Sequence, residues 1–279
     1  MAESNKLTIG VLALQGAFEE HQQLLESLGC NTVQVKVPSQ LEGLDGIVFP
    51  GGESTAMGLI GKQTGIWEAL QEFTQTKPTW GTCAGMILLA EKCVGASAVI
   101  ENGQSLIGGM DILVCRNYFG SQISSFEMAT PPPPNCENGE SFPGVFIRAP
   151  AILAAGSDVE ILGKVLATPC RTAGAVLREL DEKIAKGEDV SMMKVVGDPW
   201  VNKLDSMAPS HCEEKKTDIH LSTETLKLPG AADGSEAREV ICAVKRRHIL
   251  CTAFHPEITN DLRWHSFFVD MVKESQVNM

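Results

Sequence analysis

A cysteine set between glycines, and a histidine two residues ahead of a glutamate, are the residues of this chain best suited to chemistry. Gly81-Thr82-Cys83-Ala84-Gly85 is a G-x-C-x-G sequence, the cysteine counterpart of the G-x-S-x-G nucleophile elbow. A strand pattern precedes it and a helical one follows, so Cys83 stands on a sharp strand-to-helix turn. Small neighbours let flanking backbones approach. A helix N-terminus favours negative charge, which suits a thiolate nucleophile. The Ala84 N–H is then free to face a developing oxyanion. His255-Pro256-Glu257 follows the apolar run Ile249 to Phe254. A strand end presents a base beside a nucleophile on a neighbouring strand, and Glu257 can reach back to fix the imidazole tautomer. Taken singly, these motifs fit a buried cysteine in a glycine-rich turn and a surface turn. Together in one chain they favour a cysteine–histidine hydrolase.

Further polar groups stand at element ends. Pro50-Gly51-Gly52-Glu53-Ser54 also follows a strand. It lacks the Gly-Lys-Ser/Thr ending of a phosphate loop, and an oxyanion donor at the Gly52 N–H fits it better than a phosphate cradle. Arg116-Asn117 and Ile147-Arg148 each offer a guanidinium able to hold a carboxylate through two parallel hydrogen bonds. Singly, each is as well explained by an exposed arginine or an ion pair. The spacing of His211-Cys212 and His220 fits no standard zinc pattern, so no metal site is expected. His21 is read as a surface or interface residue, His248 and His265 as surface residues, and Trp264, Phe267 and Phe268 as core.

The elements that must position these groups alternate in type. Leu7–Leu14, Val33–Val37, Gly46–Phe49 and Thr79–Thr82 read as strands. Phe18, His21, Leu25 and Leu28 recur at helical spacing, as do Ile66, Leu70 and Phe73, and Met86 to Cys93 reads as a helix. Alternating strands and helices imply an α/β fold, a three-layer sandwich around a mostly parallel central sheet. Residues 94–150 hold short strand-like pieces, Ile112–Cys115 and Val145–Arg148, with a surface loop at Pro131–Pro134. Strands at Val240–Lys245 and Ile249–Phe254 and a helix at Leu262–Val272 close the chain. Between about 168 and 238 the pattern loosens. One amphipathic helix is expected over Val176, Leu177, Leu180 and Ile184, stopped by Gly187. The rest reads as a partly mobile surface insertion in a single domain spanning 1–279.

Composition excludes several classes. With 279 residues, 43% hydrophobic and 21% charged, the chain can bury a sizeable core. Its 23 Lys+Arg against 35 Asp+Glu give a net charge of -12, which argues against nucleic-acid binding. Apolar runs are too short to span a bilayer, so no membrane partner is expected. Met1 to Lys6 leads straight into a strand, without the pattern of a secretory or organelle leader. Nine cysteines, odd in number and without a C-x-x-C pair, suggest reduced thiols in the cytoplasm.

These motifs together resemble those of the glutaminase subunits of pyridoxal 5'-phosphate synthase, which are class I glutamine amidotransferases with a flavodoxin-like fold. The carrying segments are Ile9 to Gly16, Pro50 to Thr55, Trp80 to Gly85, Arg116 to Gln122, Gly144 to Pro150 and Ala253 to Glu257. The elbow and the His-x-Glu are shared by many amidotransferases, whereas Gly-Val-Phe-Ile-Arg-Ala-Pro and Arg-Asn-x-Phe-Gly-Ser-Gln are much more specific to this subgroup. The resemblance implies Cys83 as nucleophile, His255 as base and Glu257 as the residue orienting it. It implies a glutamine pocket of Gly52, Glu53, Ser54, Arg116, Ile147 and Arg148, an oxyanion hole at Gly52 and Ala84, and no metal or organic cofactor. It places Gln15 and the adjoining helix toward a TIM-barrel synthase partner in a large hetero-oligomer, which takes the ammonia released from L-glutamine. The departure is the insertion after about Thr168. Other readings remain: a hydrolase of γ-glutamyl peptides, a glutaminase serving another synthase, or a non-enzymatic binding module on the same scaffold.

Overall fold

Thr8–Leu12, Gly46–Phe49, Thr79–Thr82 and Ile249–Thr252, four or five residues each, become adjacent strands of one sheet, because each is too brief for a helix and is almost wholly buried. The computed structural model describes residues 6–95, 105–120, 125–136, 139–188, 193–194, 228 and 237–277. In chain order the elements are β1 (Thr8–Leu12), α1 (Phe18–Ser27), β2 (Asn31–Val35), β3 (Gly46–Phe49), α2 (Ser54–Thr64), α3 (Ile66–Phe73), β4 (Thr79–Thr82), α4 (Ala84–Leu89) and β5 (Ala90–Val94). They continue as β6 (Met110–Cys115), β7 (Phe126–Thr130), β8 (Phe142–Phe146), β9 (Ala151–Ala155), β10 (Glu160–Ala167) and α5 (Arg171–Lys186). The last are β11 (Met193–Lys194), β12 (Arg238–Arg246), β13 (Ile249–Thr252) and α6 (Arg263–Val277).

The large sheet runs β11-β5-β6-β9-β12-β13-β4-β3-β1-β2, with β10 also paired to β12. From β13 to β2 every pairing is parallel. On the other side of β13, antiparallel pairings of β12, β9 and β10 come in, and β5 lies parallel to β6. A separate hairpin, β7–β8, stands off the sheet. Helices cover both faces: α1 touches α6, while α2 packs on α3 and α4. Side chains alternate across β4 accordingly. Trp80 and Thr82 point to the α1/α6 side, where Trp80 meets the rings of His265 and Phe268. Position 81 faces α4, where a Cβ would meet Gly85 and Leu89. Trp80, Trp264 and Phe268 are fully buried. Each contributes on the order of 3 kcal/mol through burial.

Two expectations about elements are corrected. Met86 to Cys93 is not one helix: α4 ends at Leu89, and Ala90–Val94 is a strand paired to β6. Periodicity cannot separate the two within a continuous apolar run such as Met86 to Ala90. The strand over Val145–Arg148 lies earlier, at Phe142–Phe146, and Arg148 has φ +46°. The helix expected before Gly187 is α5. Gly187 caps it in the left-handed region (φ +68°), and Ala173, Leu177 and Leu180 are buried in the main core. Most of the remainder of 168–238, including His211, Cys212 and His220, lies outside the described residues.

Candidate active site

Four adjacent parallel strands, β1, β3, β4 and β13, end on the same edge of the sheet. In an open α/β sheet that edge is where chemistry-bearing loops converge. β1 delivers Gln15, β3 delivers Pro50 to Ser54, β4 delivers Cys83, and β13 delivers His255.

Cys83 adopts φ +46°, ψ -101°, a conformation that costs a non-glycine residue on the order of 1–3 kcal/mol. The turn is held on both sides. The Cys83 N–H donates to the Thr252 carbonyl at 2.8 Å and the Gly85 N–H to the Pro50 carbonyl at 3.2 Å. Both motif glycines are explained by close approach. A Cβ at position 85 would collide with the Phe49 carbonyl, and one at 81 would lie 2.7 Å from the Gly85 oxygen. The elbow therefore tolerates only glycine where β3, β4 and α4 meet.

His255 and Glu257 are buried, at 6% and 4% exposure. The His255 N–H donates to the Val145 carbonyl at 2.8 Å. A 3-10 turn over Pro256–Ile258 brings the Glu257 Oε1 to 2.7 Å from His255 Nδ1. The carboxylate thereby accepts the Nδ1–H hydrogen bond and leaves Nε2, which has no other partner of ordinary hydrogen-bond geometry, for the Cys83 sulfur. Burial by itself pushes the His255 pKa down. The charge and hydrogen bond of Cys83, then those of Glu257, outweigh it, and the pKa stands well above the ordinary histidine value.

Cys83 and His255 share a crevice of about 190 Å³ with Gly52, Glu53, Ser54, Ala84, Arg116, Ile147 and Arg148. Every site residue expected from the sequence except Glu257 lines it, and Glu257 stands behind His255. Gln15, Ile87 and Asn117 complete the wall. Arg116 is 7% exposed. Its Nη2 donates to Thr55 Oγ1 at 3.1 Å and lies 3.6 Å from Glu53, while Nε and Nη1 are buried without partners. Arg148 Nη2 stands 3.6 Å from the other Glu53 oxygen. Asn117 and Arg148, both in the left-handed region, add strain at the crevice wall. A smaller cavity of about 30 Å³ opens near Gln71 and His248, by the start of β13, and no cysteine lines it.

Three residues contribute more than their sequence reading. Gln15, expected only to face a partner, lines the crevice, and its Oε1 accepts the Glu53 N–H at 2.6 Å. Its position at the end of β1 was the available signal. His21, expected at the surface or an interface, and His265, expected at the surface, are both fully buried inside the chain. They lie behind Glu257, with His21 Nε2 3.4 Å from Glu257 Oε2. Helical spacing placed His21 on the Leu25 face of α1, but a histidine there is not by itself a sign of burial. His248 is half-buried, its Nε2 2.9 Å from the Thr74 carbonyl.

The chain matches the SNO glutamine amidotransferase family over residues 11–175, more than half its length. A relative from Arabidopsis thaliana, "Probable pyridoxal 5'-phosphate synthase subunit PDX2", is 39% identical over 96% of this chain and 87% of its own. "Pyridoxal 5'-phosphate synthase subunit PdxT" of Brevibacillus brevis is 35% identical over 96% of this chain and 98% of its own. Among solved structures, one described as a glutamine amidotransferase superposes with a TM-score of 0.61 at 28% identity, covering 95% of this chain and 98% of the other. A GMP synthase-like structure from Thermoplasma acidophilum shares the fold at 13% identity and a TM-score of 0.51, covering 98% of each chain. With an elbow cysteine, a strand-end histidine and relatives aligned along nearly its whole length, the chain belongs to the SNO glutamine amidotransferase family.

Proposed function

We propose that this chain is the glutaminase subunit of a pyridoxal 5'-phosphate synthase, hydrolysing L-glutamine to L-glutamate and ammonia. The observation that carries the reading is the buried His255–Glu257 pair, 2.7 Å apart, sharing one crevice with a strained Cys83. The raised His255 pKa favours a thiolate–imidazolium pair.

The Cys83 thiolate adds to the side-chain carboxamide carbon of glutamine. The oxyanion is stabilised by the N–H groups of Gly52 and Ala84, each worth about 3 kcal/mol in the transition state. The His255 imidazolium gives its Nε2 proton to the departing nitrogen, because an amide anion is too basic to leave, and ammonia and a γ-glutamyl thioester result. Neutral His255 then takes a proton from water as its oxygen attacks the thioester carbon. Collapse releases glutamate and restores the thiolate. Glu257 holds the ring throughout and offsets its positive charge. Arg116 and Arg148 hold the substrate α-carboxylate, while Glu53, Ser54 and the Ile147 backbone complete the pocket, with Glu53 beside the α-ammonium. These steps use only side chains and water.

Ammonia then passes to a TIM-barrel synthase subunit in a cytoplasmic hetero-oligomer, with Gln15 and α1 on the side that meets it. Two features agree with this: the pyridoxal phosphate synthase names of the relatives, and described residues without a helix long and apolar enough to cross a membrane. The test measures glutamate release with and without the synthase subunit, for the wild type and Cys83→Ala. The wild type should release glutamate and Cys83→Ala should lose at least about 10³-fold of that rate. Undiminished release by Cys83→Ala would reject the assignment.

A further inference from the structure

Behind the Cys83–His255–Glu257 set lies a second run of polar side chains that the reaction does not use. Glu257 is fully buried at its side chain. One carboxylate oxygen, Oε1, accepts from His255. The other, Oε2, makes no hydrogen bond of ordinary geometry, and His21 Nε2 stands 3.4 Å from it. The other nitrogen of His21, Nδ1, is 2.9 Å from Nε2 of His265. Thr82 Oγ1, on the residue before the nucleophile, is 3.2 Å from His21 Nε2. The edges and faces of His21, His265 and Trp80 pack within 5.5 Å of one another, and both histidines have no solvent exposure.

The tautomers follow from which atoms would be left without partners. If His21 carried its proton on Nδ1, it would donate to His265. The Thr82 hydroxyl could then donate to His21 Nε2, but two penalties would remain: Glu257 Oε2 would have no donor, and the His265 Nδ1 proton would be a buried donor with no acceptor. With the proton on His21 Nε2, that N–H is shared between Thr82 Oγ1 at 3.2 Å and Glu257 Oε2 at 3.4 Å, and His265 Nε2–H donates to His21 Nδ1. Only a lone pair on His265 Nδ1 is then unpaired. A buried orphan acceptor costs less than a buried orphan donor, and a buried carboxylate oxygen without a donor costs more than either.

We propose that His21 is a positioning residue of this active site, donating from Nε2 to Glu257 Oε2, and that His265 fixes its tautomer by donating to His21 Nδ1. The proposal rests on the glutaminase reading above. The separation of 3.4 Å is long for a hydrogen bond, because the same N–H also meets Thr82 Oγ1 at 3.2 Å. Both rings are held neutral. Burial first, then the charges of His265 and His255, put the His21 pKa well below the ordinary value, and burial brings that of His265 down to about 3. His21 therefore acts as a dipole, leaving the negative charge of Glu257 for the His255 imidazolium. This is the arrangement by which outer polar groups orient a reacting one. Because His21 is carried by α1 and Glu257 by the turn after β13, the contact also ties that helix to the base.

The test compares wild type, Cys83→Ala, His21→Gln, His21→Leu and His265→Leu in the assembled complex. It measures kcat and KM for glutamine together with Tm. His21→Gln keeps a side-chain N–H donor, while His21→Leu fills similar space without one. The expected result is a fall in kcat of about tenfold for His21→Leu with KM within twofold, near-complete recovery in His21→Gln, and about threefold loss for His265→Leu. A wild-type kcat in His21→Leu overturns the proposal. So do equal losses in His21→Leu and His21→Gln that follow Tm. Should His21→Leu fail to fold, His21→Gln at wild-type kcat beside a reduced His265→Leu supports the proposal, and His265→Leu at wild-type kcat overturns it. An active wild type with an inactive Cys83→Ala but unaffected histidine variants removes this inference alone. Undiminished activity in Cys83→Ala removes the glutaminase mechanism beneath it.

Discussion

Glu257 separates two imidazoles that their surroundings treat in opposite ways. On the crevice side, His255 is 2.7 Å from one carboxylate oxygen and its pKa is held well above the ordinary value, Cys83 and Glu257 overcoming burial. On the core side, His21 is 3.4 Å from the other oxygen and its pKa is pushed well down, by burial and by the charges of His265 and His255. The two rings share one carboxylate, so the difference does not come from it alone. It comes from a second partner able to give up a proton, which the crevice supplies as a thiol and the core does not. Burial by itself makes a neutral spacer of a histidine; burial beside a thiol and a carboxylate makes a proton carrier.

Removing the crevice ring has the largest expected effect. His255→Asn should lower kcat by about 10³-fold or more with little change in Tm, since proton delivery to the leaving nitrogen is lost while packing is nearly kept. Glutamate release and thermal unfolding together check this, and a loss that tracked Tm would make His255 a structural residue like those behind it. Glu257→Gln comes next. It keeps shape and removes the charge that His255 uses, so a fall of about 10²-fold in kcat is expected. The pH–rate profile should show His255 giving up its proton at lower pH than in the wild type. An unchanged profile would mean that Cys83 alone raises the base.

The smallest effect lies on the core side and concerns stability. A histidine whose folded pKa lies below its unfolded value destabilises the native state as it is driven to protonate. For His265 the folded value is about 3, so its contribution is fully present above about pH 6.5 and is lost as pH falls from there toward 3. The slope approaches about 1.4 kcal/mol per pH unit for one such group. His255, with a raised pKa, acts in the opposite sense and stabilises until pH rises through its folded value. Urea unfolding between pH 7 and 4 should show His265→Phe with a flatter dependence than the wild type. Parallel curves would remove the contrast between the two sides of Glu257.

Much of the site was legible in the chain itself because its requirements are local. A strand-to-helix turn that cannot accommodate a Cβ at its flanks must be written with glycines, so Gly81 and Gly85 announce the geometry of Cys83. A two-residue reach from Glu257 to the His255 ring depends on a single tight turn. The parallel strands were likewise readable, as short apolar or alternating runs, with Pro50 ending one and Pro78 preceding another. The end of α4 was not, because the apolar run continues unbroken from helix into β5. Gln15 was only half legible: its place at a strand end is in the sequence, while its bond to the Glu53 N–H joins segments 38 residues apart.

The sequence alone singled out Cys83, His255 and Glu257 and pointed to the family, since each follows from residue types and near-neighbour spacing. Only the tertiary structure decided that His21 and His265, 244 positions apart, meet behind that carboxylate. Spacing along one helix tells which residues share a face. What that face is pressed against depends on how α1 and α6 pack against β4, and no local pattern encodes the burial of a polar ring by distant partners.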